Sequence, residues 1–387
     1  MKKACVVGGS NGIGLAITLE LIDNGYHVFV VDISEPDYSV FSDTKNYTYI
    51  NCNLLDFYTE PFRELANDNE VELLMITAGV GRVAHFESLS LGEVHNLLSV
   101  NTVSTIKIIK IFYDKIKSHK KFYCGIMGSI AGLVNSPLFS VYGASKAAIC
   151  RFVESVNIEL CCQGFYNRIL NVSPGSIKGT KFNGCENNLE LTKGLAEEIV
   201  SHLFKSSELF IPEFDEIYKN IIERNYMDSH TFGLSSYEYK MKSGRVFDEK
   251  KGTVGYLSGT FDLFHVGHLN LLRRAKTLCD YLVVGVHPDA SHKGKETFIP
   301  FGERKEIVRS IRYVDEVITS FPEDSDAWSI VKYNRLFVGS DYKGTERFLR
   351  YEEYFKDKGV EIVYFPYTQG TSSTQIRNVI LDKSKNN

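Results

Sequence analysis

Short runs of consecutive apolar residues, each closed by glycine or a polar turn residue and each followed by a helical period, recur along the chain. Residues 4 to 7 (Ala-Cys-Val-Val) read as a buried strand, followed by Gly8-Gly-Ser-Asn-Gly-Ile-Gly14 and an amphipathic helix from Leu15 to Asn24. A second strand, His27 to Val31, ends in Asp32. Then come Leu73-Leu-Met-Ile-Thr-Ala-Gly79, a helix with Asn101, a strand from Phe122 to Met127 ending in Gly128-Ser129, and Tyr142-Gly-Ala-Ser-Lys146 on a further helix. Strands alternating with helices in this way predict a doubly wound parallel sheet. The pattern restarts after residue 250, and 387 residues exceed what one core usually serves. The expected fold class is therefore α/β, with two doubly wound parallel-sheet domains in tandem.

The expected domains are 1–225 and 251–387. Phe214 to Gly252 carries no motif: a helical piece from Glu216 to Arg224 precedes polar and aromatic residues, and 226–250 reads as the linker. A net charge of −4 without a basic tail argues against nucleic acid or an anionic membrane as the main partner, and leaves nucleotide-sized anions. Eight cysteines without a Cys-x-x-Cys pair indicate neither a metal site nor a disulfide framework. No apolar run approaches the roughly 20 residues that span a bilayer, and Met-Lys-Lys leads straight into a strand. A cytoplasmic protein is expected, with no membrane partner.

In the first domain, strand, glycine loop and helix suggest a phosphate cradle: Gly8 permits the turn, while Gly12 and Gly14 let the backbone approach a pyrophosphate. Such glycines by themselves more often mark a turn than a cofactor site. Asp32 stands at the distance where a carboxylate accepts from an adenosine ribose and repels a 2′-phosphate. Neither Asn11 nor Ile33 is basic, so NAD(H) is favoured over NADP(H). Tyr142 and Lys146, four apart, share a helix face. A nearby ammonium would lower the phenol's pKa and make Tyr142 a proton donor or acceptor near neutral pH. Ser129 can bond the same substrate oxygen, and Asn101 can hold a water in a proton relay. Each has a bland reading alone; their conjunction in this order outweighs it.

Together these residues resemble the short-chain dehydrogenase/reductase family over roughly residues 1 to 182. The resemblance implies a Rossmann fold, hydride transfer with a nicotinamide, and a catalytic tetrad of Asn101, Ser129, Tyr142 and Lys146. It implies cofactor contacts from Gly8, Ser10, Asn11, Gly12, Ile13, Gly14, Asp32, Ala78, Gly79, Lys146 and Thr180, with Asn53 and Leu54 at the adenine. Thr77 stands where the family prefers asparagine, Asn53-Leu54 replaces an aspartate and an aliphatic residue, and Thr180 lies one residue late.

In the second half, Gly255-Tyr-Leu-Ser-Gly-Thr-Phe-Asp-Leu-Phe-His-Val-Gly-His268 sets two imidazoles three residues apart at the start of a helix. His265 and His268 then share a face beside a helix N-terminus that favours anions. The bland reading is a pair of structural histidines. The stretch GTFDLFHVGH resembles the signature of the His-x-Gly-His nucleotidyltransferases, specifically the glycerol-3-phosphate cytidylyltransferase branch. The likeness continues through Asp280-Tyr-Leu-Val-Val, Glu303-Arg-Lys305, Arg312-Tyr-Val-Asp-Glu-Val317 and Gly370-Thr-Ser-Ser-Thr-Gln-Ile-Arg377, covering about 252 to 381. It implies CTP and Mg2+, catalytic roles for His265, His268, Lys293 and Lys295, and nucleotide or phosphate contacts from Gly259, Thr260, Phe261, Lys295 and Arg304. Thr371, Ser372, Ser373, Thr374 and Arg377 belong to the same set, the hydroxyls exceeding what a helix cap needs. Asp262 is either a turn residue or an orienter of the nucleotide. Gly339-Ser-Asp-Tyr342 departs from the family, which usually has a second acidic residue and a tryptophan there.

The expected whole is a bifunctional enzyme whose first domain reduces a ketose phosphate to a polyol phosphate, and whose second joins that polyol phosphate to CMP from CTP. The alternatives are a cytidylyltransferase with an idle reductase-like scaffold, or an adenylyltransferase. Both resemblances imply a homo-oligomer, a dimer or tetramer.

Overall fold

The computed structural model describes residues 2–40, 46–56, 59–180, 182, 187–246, 252–290, 296–366 and 376. The chain divides into two compact units, Met1–Leu89 with Val94–Glu249, and Lys250–Asn387 with Ser90–Glu93.

The first sheet holds β1 (Lys3–Val7), β2 (His27–Asp32), β3 (Tyr47–Asn51), β4 (Val71–Ile76), β5 (Tyr123–Met127), β6 (Ile169–Val172) and β7 (Leu209–Phe210), in the order β3-β2-β1-β4-β5-β6-β7. Every pairing is parallel. The helices that accompany it are α1 (Gly12–Asp23), α2 (Glu60–Asn67), α3 (Leu91–Leu98), α4 (Thr105–Ile111), α5 (Tyr113–Ile116), α6 (Ser140–Cys162), α7 (Leu189–Phe204), α8 (Lys219–Met227) and α9 (Ser229–Lys242). The central strands are mostly apolar and buried because both faces are covered. Ala4 and Val6 face the layer of α1 and α7, with Leu15, Ile17, Ile199 and Leu203. Cys5 and Val7 face α2, α4 and α6, with Phe62, Ile108, Ile149 and Val153.

The second sheet holds β8 (Val254–Gly259), β9 (Tyr281–Val286), β10 (Glu316–Thr319), β11 (Arg335–Gly339) and β12 (Glu361–Phe365), again all parallel, in the order β10-β9-β8-β11-β12. On one face lie α10 (Val266–Thr277) and α11 (Phe301–Arg309), packing Leu272, Ala275 and Val308 against Leu257, Leu282 and Val284. On the other lie α12 (Asp324–Val331) and α13 (Glu346–Phe355), packing Ala327, Phe348 and Phe355 against Tyr256, Val283 and Leu336. The fold class is the expected one.

Each sheet reverses its strand order beside its first strand, between β1 and β4 and between β8 and β11. The crevice at the carboxyl ends of such strands is where a doubly wound sheet binds its ligands. The glycine loop follows β1 and the two-histidine stretch follows β8, so topology alone puts both at these crevices.

One segment differs from expectation. Residues 229–242, read as linker, are helical in α9, whose N-cap Asp228 accepts from His230 and Thr231 N–H. The helix belongs to the first unit and bonds loop 135–137 there: Asn135 Nδ2 donates to the Ser229 carbonyl (3.0 Å) and Lys240 Nζ to the Pro137 carbonyl (2.9 Å). No helix among the described residues is long and apolar enough to cross a membrane.

Candidate active sites

At the end of β1 the backbone turns at Gly8, whose φ of 83° lies in the left-handed region, and a β-carbon there would sit 2.5 Å from the Ala78 nitrogen. A β-carbon on Gly14 would sit 2.0 Å from the Gly8 carbonyl oxygen. Side chains are thus excluded where α1 meets the strand. Thr77, the departure noted above, donates its hydroxyl to the Val7 (3.0 Å) and Gly8 (2.9 Å) carbonyls and ties the end of β4 to the loop. Asp32 accepts from Ser10 N–H (3.0 Å) on one oxygen and Ile33 N–H (2.7 Å) on the other, fixing its carboxylate beside the loop at the end of β2. Thr180 lies over Gly12, with its methyl 3.6 Å from where a β-carbon would stand. Ile13, Leu54 and Ala78 pack partly against the core clusters, and Asn53 Oδ1 caps Leu55 N–H (3.0 Å). The Ser10 hydroxyl is buried without a hydrogen-bond partner. An orphaned hydroxyl within a glycine cradle, at the N-terminus of a twelve-residue helix, fits the phosphates of a dinucleotide.

Asn187 also reaches this loop, Nδ2 donating to Asn11 Oδ1 (2.9 Å), while Asn11 Nδ2 donates to Ser34 Oγ (3.3 Å). Nothing in the sequence announced Asn187, because it stands outside any motif spacing and meets Asn11 only through the fold.

The four residues come from the turn Ser99–Ser104, the end of β5 and α6. Asn101 lies in a π-helical turn, Ser99–Ser104, and exchanges bonds with Val80: Nδ2 donates to its carbonyl (2.9 Å) and Oδ1 accepts from its N–H (2.8 Å). Its second Nδ2 proton goes to Ser145 Oγ (3.0 Å), so the side chain fixes the backbone beside Gly79. Ser129, at the end of β5, bonds the Tyr142 hydroxyl. Tyr142 and Lys146 share a face of α6, with Lys146 Nζ 5.8 Å from the ring centre and donating to the Met127 carbonyl (2.7 Å). Phe139 and Phe182 pack on Tyr142 at 5.0 and 5.2 Å between centroids.

The expectation of a lowered phenol pKa is not met here. Burial, the largest influence, pushes Tyr142 up to about 12 against the Ser129 bond that lowers it, and burial pulls Lys146 down to about 8. Desolvation outweighs the ammonium, whose Nζ is turned to a carbonyl. The phenol keeps its proton at neutral pH and is poised to give it to a carbonyl oxygen.

In the second unit, His265 is the N-cap of α10: its Nδ1 accepts from Gly267 N–H (3.0 Å), and His268 Nδ1 accepts in return from His265 N–H (3.4 Å). The ring centroids are 4.1 Å apart. A neutral imidazole whose Nδ1 accepts carries its proton on Nε2, so each ring keeps one N–H donor. Burial lowers the His265 pKa, which favours that neutral form. The Thr260 hydroxyl is buried without a hydrogen-bond partner, a further donor suited to a ligand oxygen.

One expectation is corrected here. Arg304 does not face a phosphate: it is 0% exposed, and its guanidinium donates to the carbonyls of Ile299 (2.9 Å), Thr260, His287 (2.8 Å) and Pro288 (2.6 Å). With four bonds made inside the fold it ties three loops together below the site. The open question at Asp262 resolves as a tie too, since its carboxylate accepts from Phe298 (3.1 Å) and Ile299 (3.0 Å) N–H. Between these anchors Phe261 and Leu263 hold φ of 53° and 50°. Lys293, Lys295, Thr371, Ser372, Ser373, Thr374 and Arg377 lie outside the described residues. Among the described residues, no three His, Cys, Asp or Glu side chains are grouped to hold a metal ion.

Known proteins resemble the two halves separately. The short chain dehydrogenase family model matches residues 2–190, and the cytidylyltransferase-like model matches 256–379. Glycerol-3-phosphate cytidylyltransferase of Bacillus subtilis (strain 168) is 43% identical over 126 residues, which are 32% of this chain and 92% of that protein. Carbonyl reductase family member 4 of Xenopus tropicalis is 26% identical over 238 residues, 59% of this chain and 95% of that one. Among solved structures, a short-chain dehydrogenase from Streptomyces avermitilis is 18% identical with a TM-score of 0.48, covering 63% of this chain and 98% of that one.

Two substitutions test the geometry. Gly14→Ala lowers the unfolding free energy of the first domain by about 1–3 kcal/mol and weakens NAD(P)H binding, because a backbone oxygen occupies the methyl's place; unchanged stability and an unchanged Kd by fluorescence titration would contradict the steric argument. Arg304→Met, which orphans four carbonyls, costs the second domain about 3 kcal/mol or more in chemical denaturation. A fully stable variant that merely loses affinity for CTP would restore the phosphate role to Arg304.

Proposed function

The chain joins a short-chain dehydrogenase domain to a domain of the glycerol-3-phosphate cytidylyltransferase family, and from that premise we propose that the two act in sequence on one substrate. The first domain reduces a phosphorylated ketose or ketotriose to a polyol phosphate with NADH, in preference to NADPH. The second transfers CMP from CTP to that polyol phosphate, giving a CDP-polyol (CDP-ribitol, CDP-glycerol or similar) and pyrophosphate. Such an activated polyol feeds a cell-surface polymer of the capsule or teichoic-acid kind.

One observation carries this reading: the chain sets a complete Ser129–Tyr142–Lys146 site beside a glycine cradle, in the same polypeptide as a histidine pair capping α10. The fusion makes sense when the first product is the second substrate. Bound in the cradle, the nicotinamide supplies the hydride. Ser129 and Tyr142 hold the carbonyl oxygen, Tyr142 gives it a proton, and the Lys146 ammonium stabilises the phenolate left behind. In the second domain an oxygen of the polyol phosphate attacks the α-phosphorus of CTP, and the bond to the bridging oxygen of pyrophosphate breaks. The Nε2–H groups of His265 and His268, the Thr260 hydroxyl and the N-terminal N–H groups of α10 meet the charge that develops, with Mg2+ carried in on the triphosphate. Asp32 at the ribose end supports NADH by repelling a 2′-phosphate. The second domain's identity to a cytidylyltransferase favours CTP over ATP.

The test is a coupled assay with CTP, Mg2+ and NADH or NADPH across dihydroxyacetone phosphate, ribulose 5-phosphate, xylulose 5-phosphate and fructose 6-phosphate. One of these ketose phosphates drives both cofactor oxidation and pyrophosphate release. Pyrophosphate appearing only with preformed glycerol 3-phosphate, and no ketose oxidising the cofactor, would overturn the sequence. In the same assay His268→Ala lowers nucleotidyl transfer by about 100-fold or more and spares reduction, while Tyr142→Phe lowers reduction by about 100-fold or more and spares transfer.

A pH profile is a separate check. For reduction, kcat/KM is level below about 8 and falls above it, as Lys146 loses its charge while Tyr142 stays protonated. A rate that climbs through this range, as deprotonation of Tyr142 would require of a base, contradicts the assignment.

A further inference from the structure

The wall of the reductase site beside Tyr142 is a strained turn. Leu138 holds φ at 66°, in the left-handed region that costs a non-glycine residue about 1–2 kcal/mol. Its carbonyl accepts from Ala84 N–H (2.8 Å). The next residue, Phe139, caps the N-terminus of α6 and lays its ring 5.0 Å from that of Tyr142 and 6.4 Å from that of Phe182. Tyr142 stands on the first turn of the same helix, so the position of the turn is also the position of the phenol.

What holds this turn comes from α8 and α9, the part of the chain without a motif. Asn225 Oδ1 accepts from Asn135 N–H (2.8 Å). Lys240, only 8% exposed, directs Nζ to Ser136 Oγ (2.8 Å), the Pro137 carbonyl (2.9 Å) and Ser236 Oγ (3.1 Å), and sits 5.4 Å from the Phe139 ring centre. An ammonium has three protons, and these three acceptors take them. Lys240 has no carboxylate partner among the described residues. Burial, and then Arg245, lower its pKa to about 8. A buried charge held only by neutral groups is a costly way to join two surfaces, and a leucine would pack more cheaply. It does, however, reach two consecutive polar groups of a turn whose backbone is otherwise inclined to relax.

We infer that Lys240 is a positioning residue of the reductase site: by tying Ser136 and Pro137 to α9 it holds Leu138 in its strained conformation and Phe139 against Tyr142, and so sets the wall against which the carbonyl substrate lies. The inference rests on the reading of the first domain as a reductase, and it gives the apparent linker a part in that domain's chemistry.

The experiment compares the full chain with Lys240→Met and Lys240→Arg. Hydrogen–deuterium exchange reads the turn directly: in Lys240→Met the amides between Val134 and Val141 exchange about tenfold faster, with the glycine loop and the core strands unchanged. With ribulose 5-phosphate as the probe, the KM of Lys240→Met rises about tenfold while the Kd for NADH stays within about twofold, and Lys240→Arg, which keeps a charge and its donors, recovers most of the loss. Unchanged exchange in the turn overturns the inference whatever the activity. So does loss of protection throughout the domain, which would make Lys240 a general structural residue, and so does a loosened turn with an unchanged KM. A wild type that reduces none of the ketose phosphates defeats the proposed function instead, and the exchange measurement still decides the role of Lys240.

Discussion

The close approach of a first strand and the helix that follows it, beside the place where strand order reverses, is the constraint on which each domain depends. The ligand crevice exists only because the chain turns sharply there and sends its next helix back along the sheet, with N–H groups facing the opening. In the first domain the turn is made possible by absence of side chains: at Gly14 a single methyl would collide with the Gly8 carbonyl at 2.0 Å. Thr77 then fastens the loop to the neighbouring strand through both the Val7 and Gly8 carbonyls.

The second domain meets the same demand with side chains. Its loop takes Phe261 and Leu263 through left-handed backbone, at about 1–2 kcal/mol each for residues of that type. Asp262, between them, accepts backbone N–H groups from residues 298 and 299, and Arg304 gathers four carbonyls from the surrounding loops. These ties offset the strain and leave the two imidazoles locked to each other and to the cap of α10. Backbone strain held by its surroundings recurs at Leu138, beside the candidate site of the first domain.

Burial, rather than charge pairing, sets the protonation states in the candidate site of the first domain. Tyr142 and Lys146 are both withdrawn from water, so the neutral form of each is favoured: the phenol's pKa rises and the ammonium's falls. The result suits a site that donates a proton in the direction of reduction. The same desolvation acts on Lys240, at the turn that carries Phe139, and makes its three hydrogen bonds stronger than they would be at the surface.

Local pattern was enough to read the two parallel sheets, the glycine cradle, the shared helix face of Tyr142 and Lys146, and the paired imidazoles. Each depends on residues within a few positions of one another, and on periods of two and 3.6 that the backbone imposes directly. Arg304 looked like a phosphate ligand because its sequence neighbours matched a motif; its burial among the carbonyls of Thr260, His287, Pro288 and Ile299 is a property of loops brought together from up to 44 positions away. Helix α9 read as linker because it joins its neighbours through Asp228, Ser229 and Lys240, polar contacts that leave no apolar stripe to detect. Asn187 meets Asn11 across 176 residues. The sequence by itself determined which elements form and which chemistry they carry; the tertiary structure decided which polar groups face a ligand and which are committed to the fold, because solvent exclusion and hydrogen-bond partnership arise only when distant segments pack.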